Sequence, residues 1–129
     1  MGGDQTMIVA GVGFSSGAAA EEIVALVQRA QREAGHVAQA LAAPDFKGDA
    51  AVLHEAAQFL RLPLLLVDRA ALEAAQNRCA TRSPVAARKL GLASVAEACA
   101  LAGAGAESRL LVARLTDQKT TCALAGDSL

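Results

Sequence analysis

The chain has no tryptophan, no tyrosine and only three phenylalanines, Phe14, Phe46 and Phe59. It has no excess of basic charge either: 12 Lys and Arg stand against 13 Asp and Glu, for a net charge of −1. Nucleic-acid surfaces combine stacking aromatics with a basic stripe, so both absences argue against such a partner. Long apolar runs are also missing, which argues against a membrane span. Met1–Thr6 is polar and glycine-rich, without a basic start or an apolar stretch, so it reads as a flexible tail rather than a signal peptide. Residues 7–129 are then expected to form one domain. The three cysteines, Cys79, Cys99 and Cys122, are odd in number and far apart, and no CxxC occurs. His36 and His54 are not in ligand spacing with them, so the expectation is reduced thiols in a cytoplasmic protein and no metal site.

Nucleotide fingerprints are lacking as well. There is no G-x-x-x-x-G-K-[ST]. Gly11-Val12-Gly13 begins a G-x-G-x-x-G pattern, but position 16 is Ser16 and the third glycine comes one residue late. No acidic residue stands at the end of the second expected strand to hold a ribose. No cofactor is expected.

What remains is an apolar chain, 53% hydrophobic and carried by Ala, Leu and Val. At 129 residues it can bury about two-thirds of its unfolded surface, enough for a core without metal or disulfide support. The opening Met7–Gly17 reads as a buried central strand followed by a glycine-punctuated turn. Gly11, Gly13 and Gly17 could take backbone angles closed to other residues. A helix over Ala18–Glu33 follows, with Ile23, Leu26, Val27 and Ala30 on one face and Gly35 as its stop. Such a turn presents N–H groups and two hydroxyls at a helix N-terminus, which favours anions. The plain alternative is that the glycines only turn the chain from sheet to helix.

Further along, a second strand is expected over His36–Ala42. A loop Asp45–Gly48 and a helix Ala50–Leu60, capped by Gly48 or Asp49, come next. Leu64–Val67 has the uninterrupted apolar run of a parallel strand covered on both faces. Asp68 should cap a helix Arg69–Gln76. After an irregular connection, Pro84 should open a helix ending near Leu90. Ser94 and Glu97 have the spacing of a reciprocal capping box, for a helix ending at Gly103 or Gly105. Arg109–Leu115 and Thr121–Leu124 read as an antiparallel hairpin. The whole predicts a layered α/β domain: a mostly parallel, mixed sheet of about five strands with helices on both faces and right-handed crossovers.

These pieces, in this order, resemble the family of cobalamin biosynthesis proteins that comprises CobE and the C-terminal domain of CbiG. The resemblance is carried by Gly11–Gly17 with Ala20-Glu21-Glu22-Ile23, by Ala43-Pro44-Asp45-Phe46-Lys47, and by Pro63 before the third strand. Ser94–Ala98, Leu111–Arg114 and Thr121–Ala125 complete it, over Ile8 to Ala125. The family loop often carries Cys-Arg-[Arg/Lys] where this chain has Phe14-Ser15-Ser16.

The resemblance implies a role in corrin-ring synthesis in the aerobic pathway, with a precorrin-type tetrapyrrole as the bound partner. Corrin intermediates are apolar macrocycles rimmed with carboxylates, so a site needs an apolar floor and donors at its rim. On that reading the rim comprises Gly13, Ser15, Ser16 and Gly17 after the first strand and Asp45 and Lys47 after the second. Thr81 and Ser83 would add to it from the loop before Pro84. Strand C-terminal ends are where open α/β sheets take ligands. Plain structural roles compete: turn formation for Asp45, solvation for Lys47, helix capping for Thr81 and Ser83. Two alternatives to a carrier stay open. One is an enzyme of ring-contraction or lactone-opening chemistry, with Asp45 as base and Lys47 or Ser15 and Ser16 stabilising an oxyanion. The other is a scaffold that contacts other cobalamin pathway enzymes through an alanine-rich helix face.

Overall fold

The computed structural model describes residues 7–81, 94–117 and 119–126. Five strands form one sheet in the order β3-β2-β1-β5-β4. They are β1 (Val9–Phe14), β2 (Ala40–Pro44), β3 (Leu64–Val67), β4 (Arg109–Asp117) and β5 (Thr120–Gly126). β1 pairs with β2, and β2 with β3, in parallel, whereas β5 runs antiparallel to both β1 and β4. Four strands therefore point one way and only β5 runs against them. The sheet is mixed, as the hairpin at the end of the sequence requires.

Among the described residues the α-helices are α1 (Ala20–Ala34), α2 (Ala51–Leu60), α3 (Arg69–Ala75) and α4 (Val95–Ala104). Strand alternation divides the core in two. Ala10, Val12, Leu41 and Leu124 face one way and pack with Ile23 and Val27 of α1 and Leu53 and Ala56 of α2. Val9, Ala42 and Ala125 face the other way and pack with Leu72 of α3 and Ala98 and Leu101 of α4. Both crossover helices lie on one face because the two β-α-β steps move in the same direction with the same hand. Among the described residues, no helix is long and apolar enough to cross a membrane.

α1 is capped at its start by Ala19, whose N–H donates to Glu22 Oε1 at 2.7 Å, and at its end by Gly35 in the left-handed region with φ 72°. Asp68 caps α3 as expected, its Oδ1 accepting from Ala71 N–H at 2.8 Å.

Several expectations need correction. β2 begins at Ala40, four residues late, because 36–39 form a connector. There Gln39 binds Ile8 through both its side chain and its backbone N–H, and Gln31 Oε1 accepts from Ala38 N–H. β3 is an edge strand, and Leu66 is half exposed, so it is not covered on both faces. Neither Gly48 nor Asp49 caps α2. Its N-cap is Ala50, which follows a 3-10 turn at Asp45–Lys47. Gly11 and Gly13 have no positive φ; among the glycines described only Gly17, Gly35 and Gly105 do. Gly11 acts by lacking a side chain: a β-carbon there would fall 2.2 Å from the Ala96 carbonyl oxygen, so α4 lies directly on β1. The tail at residues 1–6 and the helix expected after Pro84 lie outside the described residues.

Candidate functional site

Parallel pairing of β1 with β2 brings their C-terminal ends side by side. Two turns leave there: Ser15–Gly17 towards α1, and the 3-10 turn Asp45–Lys47 towards α2. The Lys47 ammonium stands over the Phe14 ring, 5.0 Å from its centroid, and so joins the two turns. Because β4 points the same way as β1, the β4–β5 turn arrives at this end as well. Ser15 N–H donates to the Lys119 carbonyl there at 3.0 Å.

Ser15, Ser16 and Gly17 are exposed, and Lys47 is half-buried. Gly17 has φ 91°, which a side chain would strain. Asp45 is exposed, and its carbonyl accepts from Gly48 N–H, so its backbone closes the turn. Phe46 presents a half-exposed ring between Asp45 and Lys47. Gly13 lies inside β1 on the face towards α4. Its carbonyl accepts from Thr121 Oγ1–H at 3.3 Å, and a β-carbon there would crowd that hydroxyl and touch Val95 at ordinary contact distance.

Thr81 is engaged elsewhere. Its backbone N–H and its hydroxyl both donate to the carboxylate of Glu97, at 2.8 and 2.7 Å. Ser83 lies outside the described residues.

Sequence reasoning missed two residues here. The first is Lys119, whose strand-turn position says nothing of its neighbours until the hairpin is seen beside β1. The second is Glu97. Ser94 Oγ does accept from Glu97 N–H, at 3.4 Å, but the Glu97 carboxylate does not return the bond to Ser94. It is fully buried and takes a third donor, Arg114 N–H, at 2.8 Å. Glu97 thus links α4, the chain at Thr81 and strand β4, which is structural work. One signal could have found it: it is the only charged residue in α4, Val95–Ala104.

The thiols are not poised for chemistry. All three cysteines are buried and none is in a disulfide. Burial pushes Cys122 up to about 12, and burial, with Cys79 nearby, pushes Cys99 up further still. Among the described residues no cluster of three His, Cys, Asp or Glu could hold a metal ion. A shallow groove of about 490 Å³ lined by Gln28, Gln31, Arg32, Gly35, His36 and Val37 lies at the opposite end of α1.

Residues 8–125 match the family described as cobalamin synthesis G C-terminus. Protein CobE of Sinorhizobium sp is 35% identical over 122 residues, which span 92% of this chain and 79% of that protein. The crystal structure of CobE, a protein from the cobalamin (vitamin B12) biosynthetic pathway, superposes with a TM-score of 0.87 at 36% identity, over 94% of this chain and 90% of that one. The crystal structure of cobalamin biosynthesis protein chiG from Agrobacterium tumefaciens str. C58 gives a TM-score of 0.76 at 36% identity, over 95% of this chain and all of that one (100%).

Proposed function

The chain belongs to the cobalamin synthesis G C-terminal family, and from that premise we propose that it binds a carboxylate-rimmed corrin-ring intermediate where β1, β2 and the β4–β5 turn end together. It is a cobalamin biosynthesis protein of the CobE and CbiG C-terminal type. The observation that carries the binding proposal is the Lys47 ammonium over Phe14. That contact unites two turns at the carboxyl ends of parallel strands, the end of the sheet at which open α/β folds take ligands.

The chemistry of this end supports the reading. Ser15 and Ser16 offer hydroxyls, Lys47 offers a cation, and Phe46, in the same turn as Lys47, offers a half-exposed apolar ring. A macrocycle with an apolar body and an acidic fringe needs that combination. Ser15, Ser16, Gly17, Asp45 and Lys47 form the proposed rim. Thr81, with its donors spent on Glu97, supports the fold behind it. Holding a labile intermediate for the next pathway enzyme requires no acid–base pair. The same reading sets the protein in the cytoplasm, which three unlinked thiols support.

The test is a visible-absorbance titration with hydrogenobyrinic acid. Saturable binding by the wild type is expected, and Lys47→Ala should weaken it about 3- to 10-fold, the loss of one exposed charge-assisted contact. Its melting temperature should hold within about 2 °C, since among the described residues Lys47 forms no ion pair and its ammonium contact is a cation–π contact with Phe14. Absence of wild-type binding, or equal affinity of the variant, would count against the proposal. Consumption of a precorrin lactone by the purified chain would favour an enzyme instead.

A further inference from the structure

We infer that Lys119 is a second cationic contact for the ligand, and that Lys47 and Lys119 together select ligands carrying at least two carboxylates. This rests on the site proposed above and adds to it a residue and a specificity.

Lys119 occupies the turn between β4 and β5, and its carbonyl accepts Ser15 N–H at 3.0 Å. That bond fixes the hairpin tip against the β1–α1 turn through the backbone alone, leaving the side chain available. The ammonium lies over the same turn: a β-carbon built on Gly17 would sit 3.3 Å from Lys119 Nζ. Gly17 therefore meets two demands at once, a φ of 91° and room for a cation.

Register brings the two lysines to one place. Phe14 and Thr120 are direct cross-strand partners. Lys47 stands over Phe14, and Lys119 immediately precedes Thr120, so the two cations flank one pair of strand ends. Among the described residues neither ammonium has a carboxylate within ion-pair distance. Asp45, in the same turn as Lys47, and Asp117, the cross-strand partner of Thr120, are exposed and form no ion pair with either lysine, so both ammonium groups stay open to an anionic ligand group.

Thr120 is an independent sign that the hairpin tip is incomplete. The residue is 1% exposed, and its buried hydroxyl finds no hydrogen-bond partner among the described residues. Buried hydroxyls are normally satisfied. Its register with Phe14 puts it on the α1 side of the sheet, under the turn that Lys119 overlies.

The experiment compares the wild type, Lys119→Gln and Lys119→Arg by absorbance titration with hydrogenobyrinic acid at low and high salt. Lys119→Gln should weaken binding about 5- to 10-fold at low salt, with a smaller difference at high salt as screening removes the charge contribution. Lys119→Arg should restore affinity to within about twofold, because it restores the charge. Both variants should melt like the wild type, since the Ser15 bond uses the backbone carbonyl. A ligand with its carboxylates esterified should not distinguish wild type from Lys119→Gln. Wild-type affinity in Lys119→Gln at low salt overturns the role of Lys119 while leaving the site itself standing. Failure of the wild type to bind overturns both.

Discussion

Replacing Glu97 by glutamine changes one atom at a fully buried position where three donors converge. Thr81 N–H reaches one carboxylate oxygen at 2.8 Å, and Thr81 Oγ1–H and Arg114 N–H reach the other at 2.7 and 2.8 Å. The amide can keep only one acceptor oxygen. If that oxygen faces Thr81 Oγ1 and Arg114, the new NH2 group faces Thr81 N–H, donor against donor. One buried N–H then loses its partner, at about 1–3 kcal/mol, and two charge-assisted bonds become neutral, at about 1 kcal/mol each. Relief of a buried charge offsets part of this. The net expectation is a loss of about 2–3 kcal/mol, or roughly 6–12 °C in Tm for a domain of this size. Urea denaturation monitored by circular dichroism measures it. Thr81→Val supplies the second arm of a double-mutant cycle, with a coupling of about 1 kcal/mol or more expected between the two sites. Wild-type stability in Glu97→Gln, or strict additivity with Thr81→Val, would refute the clamp.

Gly11→Ala should cost more than about 3 kcal/mol, because the added carbon meets α4 backbone at 2.2 and 2.4 Å and backbone cannot yield as a side chain does. Soluble yield and Tm will check this against Gly35→Ala, which meets nothing within 4 Å and should cost only about 1 kcal/mol for its left-handed φ. The three thiols should not react with Ellman's reagent at pH 8 in the native state and should all react in denaturant. Raised thiol values in the fold mean that the unfolded chain releases these protons first. Stability should therefore be insensitive to Cys122 below about pH 9 and fall as pH rises from 9 towards 12, by up to about 1.4 kcal/mol per pH unit. A native-state thiol titrating near pH 8 would contradict that burial.

Much of the fold was legible because its signals are local. The apolar run at Leu64–Val67, the Asp68 cap and the Gly35 stop each depend on a few neighbouring residues, and each appears where expected. β2 was harder, since Ala40, Ala42 and Ala43 favour helix and are depleted in strands. What makes them a strand is burial between β1 and β3. Glu97 misled for a related reason. The S-x-x-E spacing fits a capping box, yet the carboxylate answers donors 16 and 17 residues away, at Thr81 and Arg114. The proposed rim was half legible: Ser15–Gly17 and Asp45–Lys47 follow strands that parallel pairing sets side by side. Lys119 was not, because its nearness to Gly17 exists only after β5 inserts between β1 and β4.

A backbone-amide NMR titration of the wild type with hydrogenobyrinic acid tests the binding end most directly. Saturating shifts should gather on the 15–17 turn, the 45–47 turn and Lys119. Shifts gathered instead between Gln28 and Val37, at the far end of α1, or none at millimolar ligand, would contradict it.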